Sequence, residues 1–211
     1  MKYLGAVLLL LVPALAAAKG IGAEDARHLL QRVGFGAPDS EVQAFAALER
    51  ADAVERLLRE ARREASVAPP ALVEEPFTPY YRIRNMSVED RMAAQKELRR
   101  EGFELRAWWM REMLLTPSPL TERMTLFWHN HFATSQQKVR SSQLMYRQNV
   151  LLRREALGNF ATLLRAVARD PAMLVWLDNA GSRRQAPNEN FAREVMELFT
   201  LGEGRYGERD V

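Results

Sequence analysis

Apolar residues recur along this chain at helical spacing, and no alternating stretch of useful length marks a β-strand. The pattern is most complete over residues 187–204. There Phe191, Val195, Leu198 and Phe199 follow at i, i+4, i+7 and i+8 and form one stripe. Asn188 is placed to cap the helix start with its side chain, and Pro187 before it stops backward extension. Glu189 sits in the first turn, where the helix dipole favours an anion. Gly202 and Gly204 supply the left-handed termination that glycine adopts without strain. The rest of the chain reads as organised around this helix.

The same logic places helices upstream. Residues 23–33 form one, ending at Gly34. Asp39 or Ser40 caps a second that runs through Leu48, and Asp52 caps a third with Ala53, Val54, Leu57 and Leu58 inward. Pro69, Pro70, Pro76 and Pro79 then break the pattern over residues 66–86. This is a connector that Phe77, Tyr80 and Tyr81 are expected to pin to the body. Ser87 and Asp90 make a variant capping box for a long helix reaching about Leu115, with Leu98, Leu105, Trp109 and Met113 along one side. Trp108 and Trp109 point about 100° apart, so at least one is buried. Ser118 and Pro119 restart a helix that carries Leu120, Met124, Phe127, Trp128 and His131 on one stripe. A basic loop, residues 138–140, follows. Helices over 143–156 and 160–169 come next, and Asp170 with Pro171 starts a short apolar one. Residues 178–182 read as a turn into the organising helix.

The expectation is an all-α fold, an irregular multi-helix bundle with a Pro-rich connector. Residues 19–65 form the N-terminal helices, 66–86 the connector and 87–211 the helical core region. Residues 1–18 read as a signal peptide. Lys2 gives the positive start, an apolar run follows, and small residues at Ala14, Ala16 and Ala18 suit cleavage. The run is short for a permanent span, which needs about 20 apolar residues. Export to the periplasm or beyond is therefore expected, with no permanent membrane span.

Composition narrows the chemistry. The 211 residues carry 30 basic and 27 acidic side chains, and the signs are interleaved. Without a basic stripe set with aromatics, nucleic acid is a poor candidate partner. There are no cysteines, which excludes disulfides, thiolate metal sites and a thiol nucleophile.

Two stretches concentrate the remaining options. On the organising helix Glu189, Arg193 and Glu197 are spaced four apart, and Glu194 and Glu197 three apart. The plain reading is an ion-pair ladder. The sharper one is a carboxylate cluster facing a cleft. His129 and His131 lie in the other stretch, and a regular helix sends them about 200° apart. The plain reading there packs His131 among aromatics and turns His129 to a backbone carbonyl. The sharper reading joins the two stretches. His129, His131, Glu189, Arg193 and Glu194 become catalytic candidates, and His131, Glu194 and Glu197 metal-ligand candidates. Imidazole with carboxylates and no thiolate suits Zn, Mn or Fe. His28, alone on its helix, reads as a solvent-facing or packed side chain.

Residues 126–135, 176–179 and 187–204, with 28–36 and 109–123 fitting earlier parts, resemble the domain of unknown function 1800 family. The resemblance implies a bacterial, exported, largely helical protein with no established activity. It also implies a partner in another exported protein encoded nearby. The chain resembles the N-terminal part of a longer member, so an uncovered apolar patch is expected beside the organising helix. Two functions stand from the sequence: a metal- or anion-handling, hydrolase-like enzyme, and a non-catalytic exported scaffold or partner-binding protein.

Overall fold

The computed structural model describes residues 20–76 and 79–210. The expected signal peptide, residues 1–18, and Phe77 lie outside them. The described residues form eleven α-helices and no strand, with one isolated bridge between Arg183 and Ala186. The all-α expectation therefore holds. None of the described helices is long and apolar enough to cross a membrane.

Three helices, α1 (Gly22–Val33), α2 (Asp39–Ala46) and α3 (Arg50–Arg59), close on a small core of Ala26, Leu30, Val42, Phe45, Ala53 and Leu57. Neither Asp39 nor Asp52 caps by side chain; Pro38 and Glu49 hold the cap positions in extended conformation. Val54 and Leu58, expected inside, stand outside. The helix rotates to bury Ala53 and Leu57, four residues apart, against α1 and α2.

The connector contains local helical structure between its prolines. It contains a 3-10 turn (Ala71–Glu74) and α4 (Tyr80–Arg84). Aliphatic side chains anchor it. Leu72 and Ile83 are buried, while Tyr81 is exposed. Glu112 completes the anchorage by accepting bonds from the backbone N–H groups of Ser66 and Val67.

α5 (Val88–Leu115) begins at the expected cap, with Ser87 Oγ accepting from the Asp90 N–H. Trp108 is fully buried on it. α6 (Pro119–Phe132) starts with Pro119 at its first position and stops at Ala133, whose left-handed φ of 39° turns the chain. The basic stretch after it is a helical turn, α7 (Gln136–Val139), capped by Ser135 Oγ. α8 (Ser142–Glu155), α9 (Phe160–Val167) and α10 (Pro171–Trp176) follow. Asp170 caps α10 as its sequence suggests, through the Met173 N–H.

α8 is the hub, not the final helix. It packs against α5, α6, α7, α9, α10 and the 3-10 turn of the connector. One side contributes Leu144 and Met145 to a cluster with Leu105, Trp108 and Val139. Another contributes Leu152 to a cluster with Phe132, Leu163, Val167, Met173, Leu177 and Phe199. Its other buried side chains are polar, and most are bonded. Gln148 bridges Thr134 and Asp170, and Gln143 donates to the Leu72 carbonyl. Such pairing offsets most of the desolvation cost of polar groups in a core.

α11 (Glu189–Phe199) lies at one side of this body. Phe199 is buried, and Phe191 and Val195 are half-buried against the C-terminal cluster. Leu198 is 56% exposed, so of the stripe's four residues it alone stands uncovered, and the expected apolar patch is not formed by the stripe as a whole.

Candidate functional site

The two histidines of α6 separate as helical geometry requires. His131 joins an aromatic group, with ring centroids 4.9 Å from Phe132, 5.7 Å from Trp128 and 6.1 Å from Phe199. Its Nε2 is 3.1 Å from the Phe199 carbonyl oxygen. The backbone-carbonyl role expected of His129 thus falls to His131. His129 turns to the other side of α6. Its ring meets Trp109 edge-on at 5.1 Å, and burial holds its pKa below the ordinary imidazole value. Burial thus favours the uncharged ring, and an uncharged imidazole has a nitrogen that accepts a proton.

The histidine stretch and the carboxylate stretch do meet, through the apolar side of α11. Phe132 and Phe199 rings lie 5.4 Å apart across the contact. The carboxylates lie off that stripe. Glu194 accepts from Asn190 Nδ2 at 2.9 Å, and Glu197 accepts from the Tyr206 hydroxyl at 2.8 Å. Arg193 pairs with Glu208 at 2.9 Å, so the expected ladder through Glu189 and Glu197 is not formed. Glu189 stands exposed in the first turn. Asn188 keeps the cap position but spends its side chain on the Leu177 carbonyl. Among the described residues no group of three or more His, Cys, Asp or Glu is placed to hold a metal ion. His131, Glu194 and Glu197 accordingly do not form a metal-binding set, since one is bound to a backbone carbonyl and the other two to side chains of their own segment.

A cavity of about 240 Å³ opens where α5, α6, α7 and α8 converge, and His129 lines it. Trp108, Trp109, Leu105 and Met145 give it an apolar wall. Arg106, Ser135, Gln136 and Asn149 bring polar groups. Asn149 is 6% exposed, and neither its Oδ1 nor its Nδ2 has a hydrogen-bond partner. A buried amide with both ends unpaired costs about 1–3 kcal/mol per group, so its retention calls for an explanation. A second, more open cleft of about 530 Å³ continues from the cavity. It shares Gly102, Arg106 and Gln136 with it and adds Arg99 and Arg140. The combined groove runs from guanidinium groups at the open end to indole rings and an imidazole at the closed end.

The floor beneath the cavity is held by a buried ion pair. Glu122 and Arg153 are each 1% exposed and joined through Nε and Nη2 of the arginine. Trp109 Nε1 donates to the same carboxylate at 3.0 Å, and the Arg153 guanidinium lies 5.3 Å over the Trp108 ring. Both indoles are thereby fixed from below.

Asn149, Glu122 and Arg153 are not among the sequence-derived candidates. On α8, Asn149 shares a stripe with Met145 and Leu152, and Gln148 and Arg153 flank it. Polar residues at positions that the helical period turns inward are the signal that marks them.

The model of a family described as "Protein of unknown function (DUF1800)" matches residues 28–211. No curated protein and no solved structure matches the chain.

Proposed function

We propose that this chain, which belongs to the DUF1800 family, is an exported, anion-handling, hydrolase-like protein whose working site is the cavity between α5 and α8. One observation carries this reading. A neutral imidazole and an unpaired buried amide, His129 and Asn149, line the same cavity. Buried groups that the fold leaves unsatisfied are the groups a ligand can satisfy, and shifted titrating groups in a cleft mark candidate sites.

The roles follow from the chemistry. A substrate with an apolar or aromatic part lies against Trp109, which Trp108 backs from the core. Its anionic part faces Arg106 and Arg99. A water attacks the carbonyl carbon of an ester or amide and gives its proton to His129. The Asn149 N–H donates to the oxygen that gains charge; as the tetrahedral intermediate collapses, the bond from carbon to the leaving oxygen or nitrogen breaks and the proton on His129 passes to that atom. Export rests on the sequence of residues 1–18.

The test is turnover of 4-nitrophenyl esters, with and without a distal carboxylate, by the whole protein. His129→Gln is expected to lower kcat/KM by about 10²–10⁴-fold. His131→Gln and Glu194→Gln leave it within a few-fold. Turnover that survives His129→Gln contradicts the proposal.

A second reading, partner binding without catalysis, draws on one feature. Val88, Met92, Phe103, Met110 and Leu114 share the outer face of α5 and are between 57% and 70% exposed. Long helices with such stripes serve as docking faces for other proteins. Phe103→Ser with Met110→Ser separates the two readings: it abolishes capture of a co-exported partner and leaves ester turnover intact.

A further inference from the structure

A third cavity, of about 270 Å³, lies on the far side of the Glu122–Arg153 pair and shares no lining residue with the His129 cavity. It is bounded by the segment after α3, the start of α6 and the end of α8. Arg62, Arg63, Thr121, Arg153, Arg154 and Gly158 line it. We infer that this cavity is an oxyanion site, built for a phosphate group as inorganic phosphate or a phosphate monoester.

The buried guanidinium is the first argument. Nε and Nη2 of Arg153 engage Glu122, and Trp108 covers one face of the group. Nη1, on the other edge, is buried and has no hydrogen-bond partner. An unpaired donor on a charged group is among the costliest orphans in a protein interior, and an anionic acceptor removes that cost. The side chain itself is 1% exposed, fixed on two sides, and lines the cavity.

Charge gives the second argument. Arg153 pairs with Glu122, and Arg154 pairs with Glu155. Arg62 and Arg63 have no ion-pair partner among the described residues. Four guanidiniums against two carboxylates leave two positive charges. A phosphate monoester carries about −1.5 to −2 at neutral pH, which matches them. Planar guanidinium forks also suit phosphate oxygens better than a lone halide.

The site is held in shape before any ligand arrives. The Arg62 backbone N–H donates to Ser118 Oγ at 3.0 Å, tying the arginine segment to the start of α6. Ser118 Oγ lies 2.8 Å from Thr121 Oγ1, so the Thr121 hydroxyl is fixed at the same edge. Thr121 is in the first turn of α6, a 14-residue helix whose positive end favours anions.

The test is thermal unfolding of the whole protein titrated with inorganic phosphate or glycerol 2-phosphate, with ionic strength held constant by chloride. The midpoint is expected to rise with the logarithm of either phosphate compound and to stay flat in chloride alone. Arg62→Gln with Arg63→Gln, both on the surface, is expected to weaken the phosphate affinity at least about tenfold without unfolding the chain. Lys96→Ala, a cation outside the cavity, leaves the shift unchanged. An equal response to chloride, or a phosphate response that the double variant retains, overturns the inference. Arg153 is left intact throughout, because its loss strands Glu122 and disturbs the fold itself.

Discussion

His129 and His131 leave α6 on opposite sides and meet different surroundings. His131 places Nε2 at 3.1 Å from the Phe199 carbonyl, while His129 faces Trp109 and a cavity. One therefore holds the C-terminal helix in place, and the other is free to act. His131→Ala removes a hydrogen bond and a ring from the aromatic group. It is expected to destabilise the protein by about 2–3 kcal/mol in urea unfolding.

Protonation of His129 sets a stability window. Its folded pKa is depressed by burial, so the unfolded chain binds the proton first as pH falls. The stability linked to the neutral ring is complete above the ordinary imidazole value, about 6.5, and is lost as pH falls from there toward the folded value. Urea midpoints measured between about pH 7 and pH 5 fall in the wild type, and His129→Gln flattens that part of the fall.

The Glu122–Arg153 pair responds differently to single and double replacement. Glu122→Gln leaves a buried guanidinium without its counter-charge and is expected to cost about 3–5 kcal/mol. Glu122→Leu together with Arg153→Met removes both charges and restores much of that loss. A double-mutant cycle from urea unfolding checks both statements.

Glu112 fastens the connector. Burial alone raises a carboxyl pKa, but the hydrogen bonds from Ser66 and Val67 outweigh it and hold Glu112 below its usual value. The stability from this contact is present above the ordinary carboxylate range and is lost as pH falls through the depressed value. Glu112→Ala is expected to cost about 2–3 kcal/mol and to open residues 60–70 to limited proteolysis at neutral pH.

Much of the helix order was legible from residue spacing. Ser87, Pro119 and Asp170 mark starts through chemistry that acts within one turn, and such local signals survive folding unchanged. Asn188 shows the limit. It marks the right place, but tertiary packing takes its side chain to Leu177. The central position of α8 instead of α11 has a related cause. α11 has the cleanest amphipathic pattern because it covers the body on one side only. α8, buried on several sides, carries Gln143, Gln148, Asn149 and Arg153 inward, and a polar core hides its centrality from a hydrophobic pattern. The site moved with it. Charge spacing on α11 singles out Glu189, Arg193, Glu194 and Glu197, while the cavity depends on residues from four segments. Only the fold brings Trp109, His129, Gln136 and Asn149 together.

Asn149 offers the most direct test, because stability and function should separate there. Asn149→Leu fills the same space without an unpaired amide, and it is measured for urea stability and ester turnover in one preparation. The account predicts a gain of about 1 kcal/mol or more in stability with turnover lost. Turnover that persists in a stabilised Asn149→Leu protein contradicts the assignment of the cavity as the working site.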